Sequence, residues 1–214
     1  CIDDNVGKIL ETLRAEKLLE NTIVVFTADH GDLRGEHHRH NKGVPYEGSA
    51  KIPFVIYYEG KISPGTVVDQ ALSCVDFLPT VLGLMNIPSA GKEEGRDASA
   101  LLVAGNAPGN WDDCVFLRST GDTTGWLAAV TDRFKLVYST TDVPWLFDLQ
   151  QDPDELQNRF TDPEYRETVR ELSQRLAEYG RTSGDPRAAS PRIRADLRWA
   201  IDGEGPYVAP KKVR

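Results

Sequence analysis

The sequence predicts an α/β chain in two parts: helices around part of a mainly parallel sheet, then a smaller α+β unit with a four-stranded antiparallel sheet and a helix. Three observations carry this expectation. A continuous β-branched run, Thr22 to Thr27, follows a helical stretch, as a strand buried on both faces does. Four short apolar runs between Cys114 and Leu149 are separated by turns with no helix between them, the pattern of antiparallel strands. Pro163 to Tyr179 then carries Val169, Leu172, Leu176 and Tyr179 on one helical face, with Glu167, Arg170, Glu171 and Arg175 on the other.

Taken in order, Ile2, Val6, Ile9, Leu10, Leu13 and Leu18 recur at helical spacing, and Asp3, Asp4 and Asn5 suit a first turn. So abrupt an opening is expected of a chain that begins inside a longer protein. The strand Thr22 to Thr27 ends at Ala28-Asp29-His30-Gly31, and a polar, glycine-containing loop runs to Ser49. Ile52 to Tyr58 reads as another core strand, and Ser63-Pro64-Gly65 as a turn. Val75 to Met85 reads as a helix with Val75, Leu78, Val81, Leu82 and Met85 on one face and Pro79 in its early turns. Residues 1–91 then form the first domain, and 92–112, rich in Gly, Ala, Asn and Pro, a linker or surface loop. Cys114 to Leu117, Trp126 to Val130, Phe134 to Tyr138 and Trp145 to Leu149 supply the strands of a unit spanning 113–180. Residues 181–214, rich in Pro and Arg, are expected to wrap the surface or move.

The chain has 214 residues, and 33 acidic against 25 basic ones leave a net charge of −8, which argues against a nucleic-acid footprint. Its three cysteines, Cys1, Cys74 and Cys114, form neither a CxxC metal pattern nor a disulfide framework. No apolar run approaches the about 20 residues of a membrane span.

All four histidines, His30, His37, His38 and His40, fall within eleven residues that also hold Asp32 and Glu36 and directly follow Asp29. A carboxylate beside an imidazole at the end of a core strand can bind a divalent cation. It can equally be an Asp that caps a turn next to a His bonded to backbone. Lys42, beside Gly43 and ahead of Tyr46-Glu47-Gly48, can pair with an anion, although a loop lysine is more often a solvated surface residue. The tail arginines Arg187, Arg192, Arg194 and Arg198 read as a solvated face. Trp111, Trp126, Trp145 and Trp199 read as packing or rim residues, with Trp126, next to the Gly121–Gly125 turn, a possible pocket wall.

The stretch TIVVFTADHGDLRGEHHRHNKGVPYEGSAKIPFVIY resembles the second half of the sulfatase family: an apolar strand, Asp-His-Gly, a GEH turn, a lysine, then Tyr-Glu-Gly and a basic residue before a proline. The Val75-Asp-Phe-Leu-Pro-Thr80 helix and the acidic stretch from Trp145 to Asn158 extend the resemblance, so that it covers about Ile2 to Tyr179. It implies an alkaline-phosphatase-like fold, Asp29 and His30 as calcium ligands, Lys42 as the sulfate-binding residue and His37 facing the substrate pocket. It also implies a formylglycine nucleophile made from a Cys/Ser-x-Pro-x-Arg motif, and these 214 residues contain no such motif.

The expected activity is therefore sulfuric ester hydrolysis on a sulfated small molecule or carbohydrate, with the chain inactive by itself. A phosphate-ester or phosphonate hydrolase of the same superfamily and a non-catalytic binding remnant are the alternatives. The resemblance further implies export to the periplasm or beyond, and incomplete sheet pairing implies self-association through an exposed edge.

Overall fold

The structure, a computed structural model, describes residues 1–105, 111–120 and 125–209. In chain order they form α1 (Ile2–Ala15), β1 (Val24–Thr27), α2 (Glu47–Ala50), β2 (Phe54–Tyr57), α3 (Phe77–Leu84), α4 (Ser99–Ala104), β3 (Val115–Arg118), β4 (Trp126–Val130), β5 (Phe134–Ser139), β6 (Trp145–Asp148), α5 (Arg166–Ser183) and α6 (Pro191–Asp202). Two compact units result. One comprises Cys1–Asp29, Ile52–Val68 and Cys74–Trp111, and the other His30–Lys51, Asp69–Ser73 and Asp112–Arg214.

In the first unit, α1 places Asp3 and Asp4 at its positive end and Arg14 at its negative end. It stops where Lys17 turns to φ +57° and the Leu18 N–H donates to Leu13 C=O at 2.9 Å. None of its residues is buried. β1 and β2 pair antiparallel, from Val24 with Tyr57 to Thr27 with Phe54. This corrects the expected parallel arrangement for these strands: the chain between them holds no helix longer than the four-residue α2, and parallel neighbours need a long crossover. Both-face burial is corrected too, since Phe26, Phe54, Val55 and Tyr57 are exposed.

The buried face of α3 also differs from the expected apolar stripe. Pro79, Thr80 and Leu84 are buried, whereas Val75, Leu78 and Met85 are exposed. Polar bonding explains the choice. The Thr80 hydroxyl donates to Asp76 C=O at 2.6 Å and accepts from the Ala98 N–H at 3.0 Å. Asp76, itself buried, accepts from the Arg96 N–H at 2.7 Å and from its guanidinium at 3.0 Å. These bonds tie the segment after residue 92 to α3. That segment is therefore part of the unit rather than a linker, and it ends in α4 with Leu101 and Leu102 buried; residues 106–110 of the expected linker lie outside the described residues.

The second unit is built on the antiparallel meander β3-β4-β5-β6, the four-stranded sheet the sequence predicts. Strand alternation sends Leu127, Ala129, Leu136, Tyr138 and Leu146 to one face, where they pack with Val169, Leu172 and Leu176 of α5 and Ile193, Leu197 and Ala200 of α6. Polar pairs inside this core are matched: the Tyr138 and Ser173 hydroxyls are 2.6 Å apart, and Arg166 donates to Ala200 C=O at 2.5 Å. Helix α6 corrects the expectation of a loose tail. Asp185 caps the turn Pro186–Ala189, and Pro191 sits at the start of α6, where its missing N–H costs nothing.

Two tail arginines are not on a solvated face. Arg187 is fully buried against the Asp185 carboxylate at 2.8 Å and donates to Ser119 C=O at 2.7 Å, and Arg192 pairs with buried Asp196 at 2.9 Å. Residues 121–124 and 210–214, on which the expected turn and the end of the tail fall, lie outside the described residues.

Two outcomes are expected. Ile193→Ala leaves a void in this core and lowers the unfolding free energy by about 2–5 kcal/mol in a urea melt; an unchanged midpoint would mean that α6 is not core. The second concerns Asp148, whose carboxyl is held below its ordinary 3.8 by the Arg133 guanidinium at 2.7 Å. A carboxyl depressed in the folded state contributes stability above its unfolded value and loses it as pH falls through the folded one. Melts of wild type and Asp148→Asn should therefore be furthest apart above pH 3.8 and converge as pH falls through the lower folded-state value, and parallel curves would exclude Asp148 as a source of acid sensitivity.

Candidate functional site

The segment His30–Lys51 belongs to the second unit, and its loop is shaped by unusual backbone. Arg34, His37, His38 and Asn41 all adopt left-handed φ between +46° and +65°, and Gly35 lies at +111°. Such residues cost about 1–3 kcal/mol each and persist only where the surroundings over-determine them. Here Leu33 N–H donates to Asn41 C=O at 2.9 Å and Gly35 N–H to Arg39 C=O at 2.8 Å, while Asp32 Oδ1 accepts from the Arg34 and Asn41 N–H groups at 3.1 and 3.2 Å. Asp32 therefore holds the loop closed. Gly31 approaches the Gly48 carbonyl so closely that a Cβ would collide with it, and Gly31 N–H donates to Ser49 C=O at 3.0 Å.

The loop is anchored on the sheet face opposite α5 and α6. Its anchor is Lys135, fully buried near the start of β5. Its ammonium donates to Pro45 C=O at 2.8 Å and to Glu155 Oε1 at 2.8 Å, and forms an ion pair with Glu47 Oε1 at 2.6 Å. Glu155 returns the contact by accepting the Glu47 N–H through Oε2 at 2.6 Å. Burial pushes the Glu155 carboxyl above its ordinary range, and the facing Lys135 charge opposes that push. Removing one partner of such a cluster costs about 3–5 kcal/mol, because it strands the remaining charge.

An aromatic column rises from the same anchor. Tyr46 lies on Trp145 with ring centroids 5.1 Å apart, and His37 stacks on Tyr46 at 3.7 Å with ring planes 7° apart. Burial raises the Tyr46 hydroxyl above its ordinary pKa. Beside the column, the Trp126 indole N–H donates to Gly43 C=O at 3.1 Å, and Gly43 N–H donates to Ser49 Oγ at 3.1 Å, which fixes the backbone next to Lys42.

The sequence-derived candidates are placed as follows. His37 is half-buried in the column; Lys42 is exposed beside its fixed neighbour; His30 is exposed at the start of the second unit; and Asp29 is exposed at the end of the first. His30 Nδ1 lies 2.7 Å from Gly31 C=O. No group of three or more metal-ligating side chains occurs among the described residues. No helix among the described residues is long and apolar enough to cross a membrane.

Sequence reasoning missed Lys135 and Glu155. A lysine inside Phe134-Lys-Leu-Val-Tyr138 was the available signal. The acidic stretch after β6 proves to be bonded throughout: besides Asp148 and Glu155, Asp152 accepts from the Gln157 N–H at 2.7 Å and Asn158 Oδ1 from the Leu146 N–H at 3.0 Å.

Residues 1–87 match the sulfatase family model. An arylsulfatase of Clostridium perfringens is 36% identical over 173 residues, covering 78% of this chain and 35% of that protein. Among solved structures, a protein in complex with its substrate D-glucosamine-2-N,6-O-disulfate superposes with a TM-score of 0.76 at 28% identity, covering 87% of this chain and 40% of the other. A phosphonate monoester hydrolase from Silicibacter pomeroyi superposes with a TM-score of 0.73 at 25% identity, covering 87% and 40%. The chain spans about a third of the length of the curated relatives it matches. Sulfatases are generally metal-dependent. On these grounds the chain belongs to the sulfatase family, with its alkaline-phosphatase-like α/β fold.

Proposed function

We propose that this chain supplies part of the active site of a sulfuric ester hydrolase acting on a sulfated carbohydrate or small molecule. The match of residues 1–87 to the sulfatase family model supports this reading, because that span contains Asp29, His30, His37 and Lys42. The nucleophile is not among these residues.

In this reading Lys42 binds the substrate. Its ammonium pairs with the sulfate oxygens and stabilises the charge that grows on them as the ester bond breaks. His37, oriented by its stack on Tyr46, donates a proton to the departing alcohol oxygen, which would otherwise leave as an alkoxide. Asp29 and His30 would hold a divalent cation, which we take to be calcium and which would polarise the sulfate oxygens when bound.

The phosphonate monoester hydrolase neighbour favours a second reading, in which the same groups serve a phosphonate or phosphate ester. Turnover by the complete gene product that carries this chain separates the two. Hydrolysis of nitrophenyl sulfate is expected to exceed that of nitrophenyl phosphonate, to disappear on chelation and to return with calcium. Lys42→Ala is expected to lower kcat/KM for the sulfate by about 100-fold or more. Turnover of the phosphonate with none of the sulfate would select the second reading, and an unaffected Lys42→Ala would remove that residue from the site.

A further inference from the structure

Building on the proposed roles of Lys42 and His37, we infer that buried Lys135, with Glu47 and Glu155, is a positioning device that sets the His37 imidazole and the Lys42 backbone from an interior strand of the sheet. None of the three is assigned to touch substrate. The inference rests on four contacts. Lys135 bonds Pro45 C=O at 2.8 Å, one residue before Tyr46. Glu155 receives the N–H of Glu47 at 2.6 Å, one residue after it. Tyr46 is therefore gripped on both sides, and its ring supports His37 at 3.7 Å. Ser49, two residues beyond Glu47, bonds the Gly43 N–H at 3.1 Å and so carries the same constraint toward Lys42.

The grip is held under strain at both ends. Glu155 itself adopts φ +55°, and His37 adopts φ +50°. Neither backbone conformation is the one an L-residue takes unaided, so each is expected to relax when its contact is lost. Beyond its ion pairs the cluster engages the carbonyl of Pro45 and the amide of Glu47. With them, the cluster specifies where the Tyr46 backbone lies to within hydrogen-bond tolerance.

The experiment uses the complete gene product and two variants. Lys135→Met removes the ammonium alone, and the double variant Lys135→Met with Glu155→Leu replaces the charges with apolar groups of similar size, so that no buried charge is stranded. Histidine labelled with carbon-13 at Cε1 reports the His37 ring by NMR, its signal assigned by its loss in His37→Gln. Stacking on Tyr46 is expected to move that signal upfield in the wild type. If the cluster positions the ring, the folded double variant loses the upfield shift, and kcat for nitrophenyl sulfate falls about ten-fold or more with the melting temperature little changed. A double variant with wild-type His37 shift and wild-type kcat would overturn the inference. Should the wild type fail to hydrolyse sulfate esters, the proposed function falls, while the His37 shift in the double variant still decides whether the cluster positions the ring.

Discussion

One buried ammonium connects the functional segment of this chain to its most regular element. Lys135 sits near the start of β5, a strand whose Leu136 and Tyr138 point into the helix-packed core, so alternation turns the lysine to the opposite face. Burying an unpaired ammonium there would cost several kcal/mol. The chain meets that cost by bringing the Pro45 carbonyl and the Glu155 carboxylate onto it as acceptors, with Glu47 as a second ion-pair partner. Once those bonds are required, the course of the loop from Gly43 to Ser49 is largely determined. The stack of Tyr46 on Trp145 follows from the same placement.

The rest of the second unit makes that anchor rigid. Helices α5 and α6 hold β4, β5 and β6 from behind, and the segment after β6 is fastened residue by residue through Asp148, Asp152, Glu155 and Asn158. An acidic stretch that looks like solvated surface is in fact the strap that delivers Glu155 to Lys135. The left-handed residues between Arg34 and Asn41 can then be tolerated, because the closing bonds of Asp32 and the anchored end near Gly43 leave the loop few alternatives.

What was legible in the sequence tracks how local the cause is. The four strands of the meander and α5 declared themselves through alternation and helical period, both set by neighbouring residues. Helix α6 did not, since Pro186, Pro191 and closely spaced arginines mask its period; only the burial of Ile193, Leu197 and Ala200 reveals it. The antiparallel pairing of β1 with β2 was hidden for a different reason: a continuous apolar run reports burial preference and carries no direction. Asp29, His30, His37 and Lys42 stood out by type and by family resemblance. Lys135 and Glu155 did not, because a lysine in an alternating strand reads as its wet face until a loop 90 residues away in sequence covers it.

The central claim is that the loop is as firmly held as the sheet beneath it. Native-state hydrogen exchange measures this at one atom, the Glu47 amide that donates to Glu155. If Lys135 and its carboxylates hold the loop, that amide exchanges only through the opening that also releases the β5 amides, and in Lys135→Met it exchanges far faster while the β5 amides remain the slower. An amide at Glu47 that exchanges rapidly in the wild type, by local opening with β5 still protected, would contradict the account.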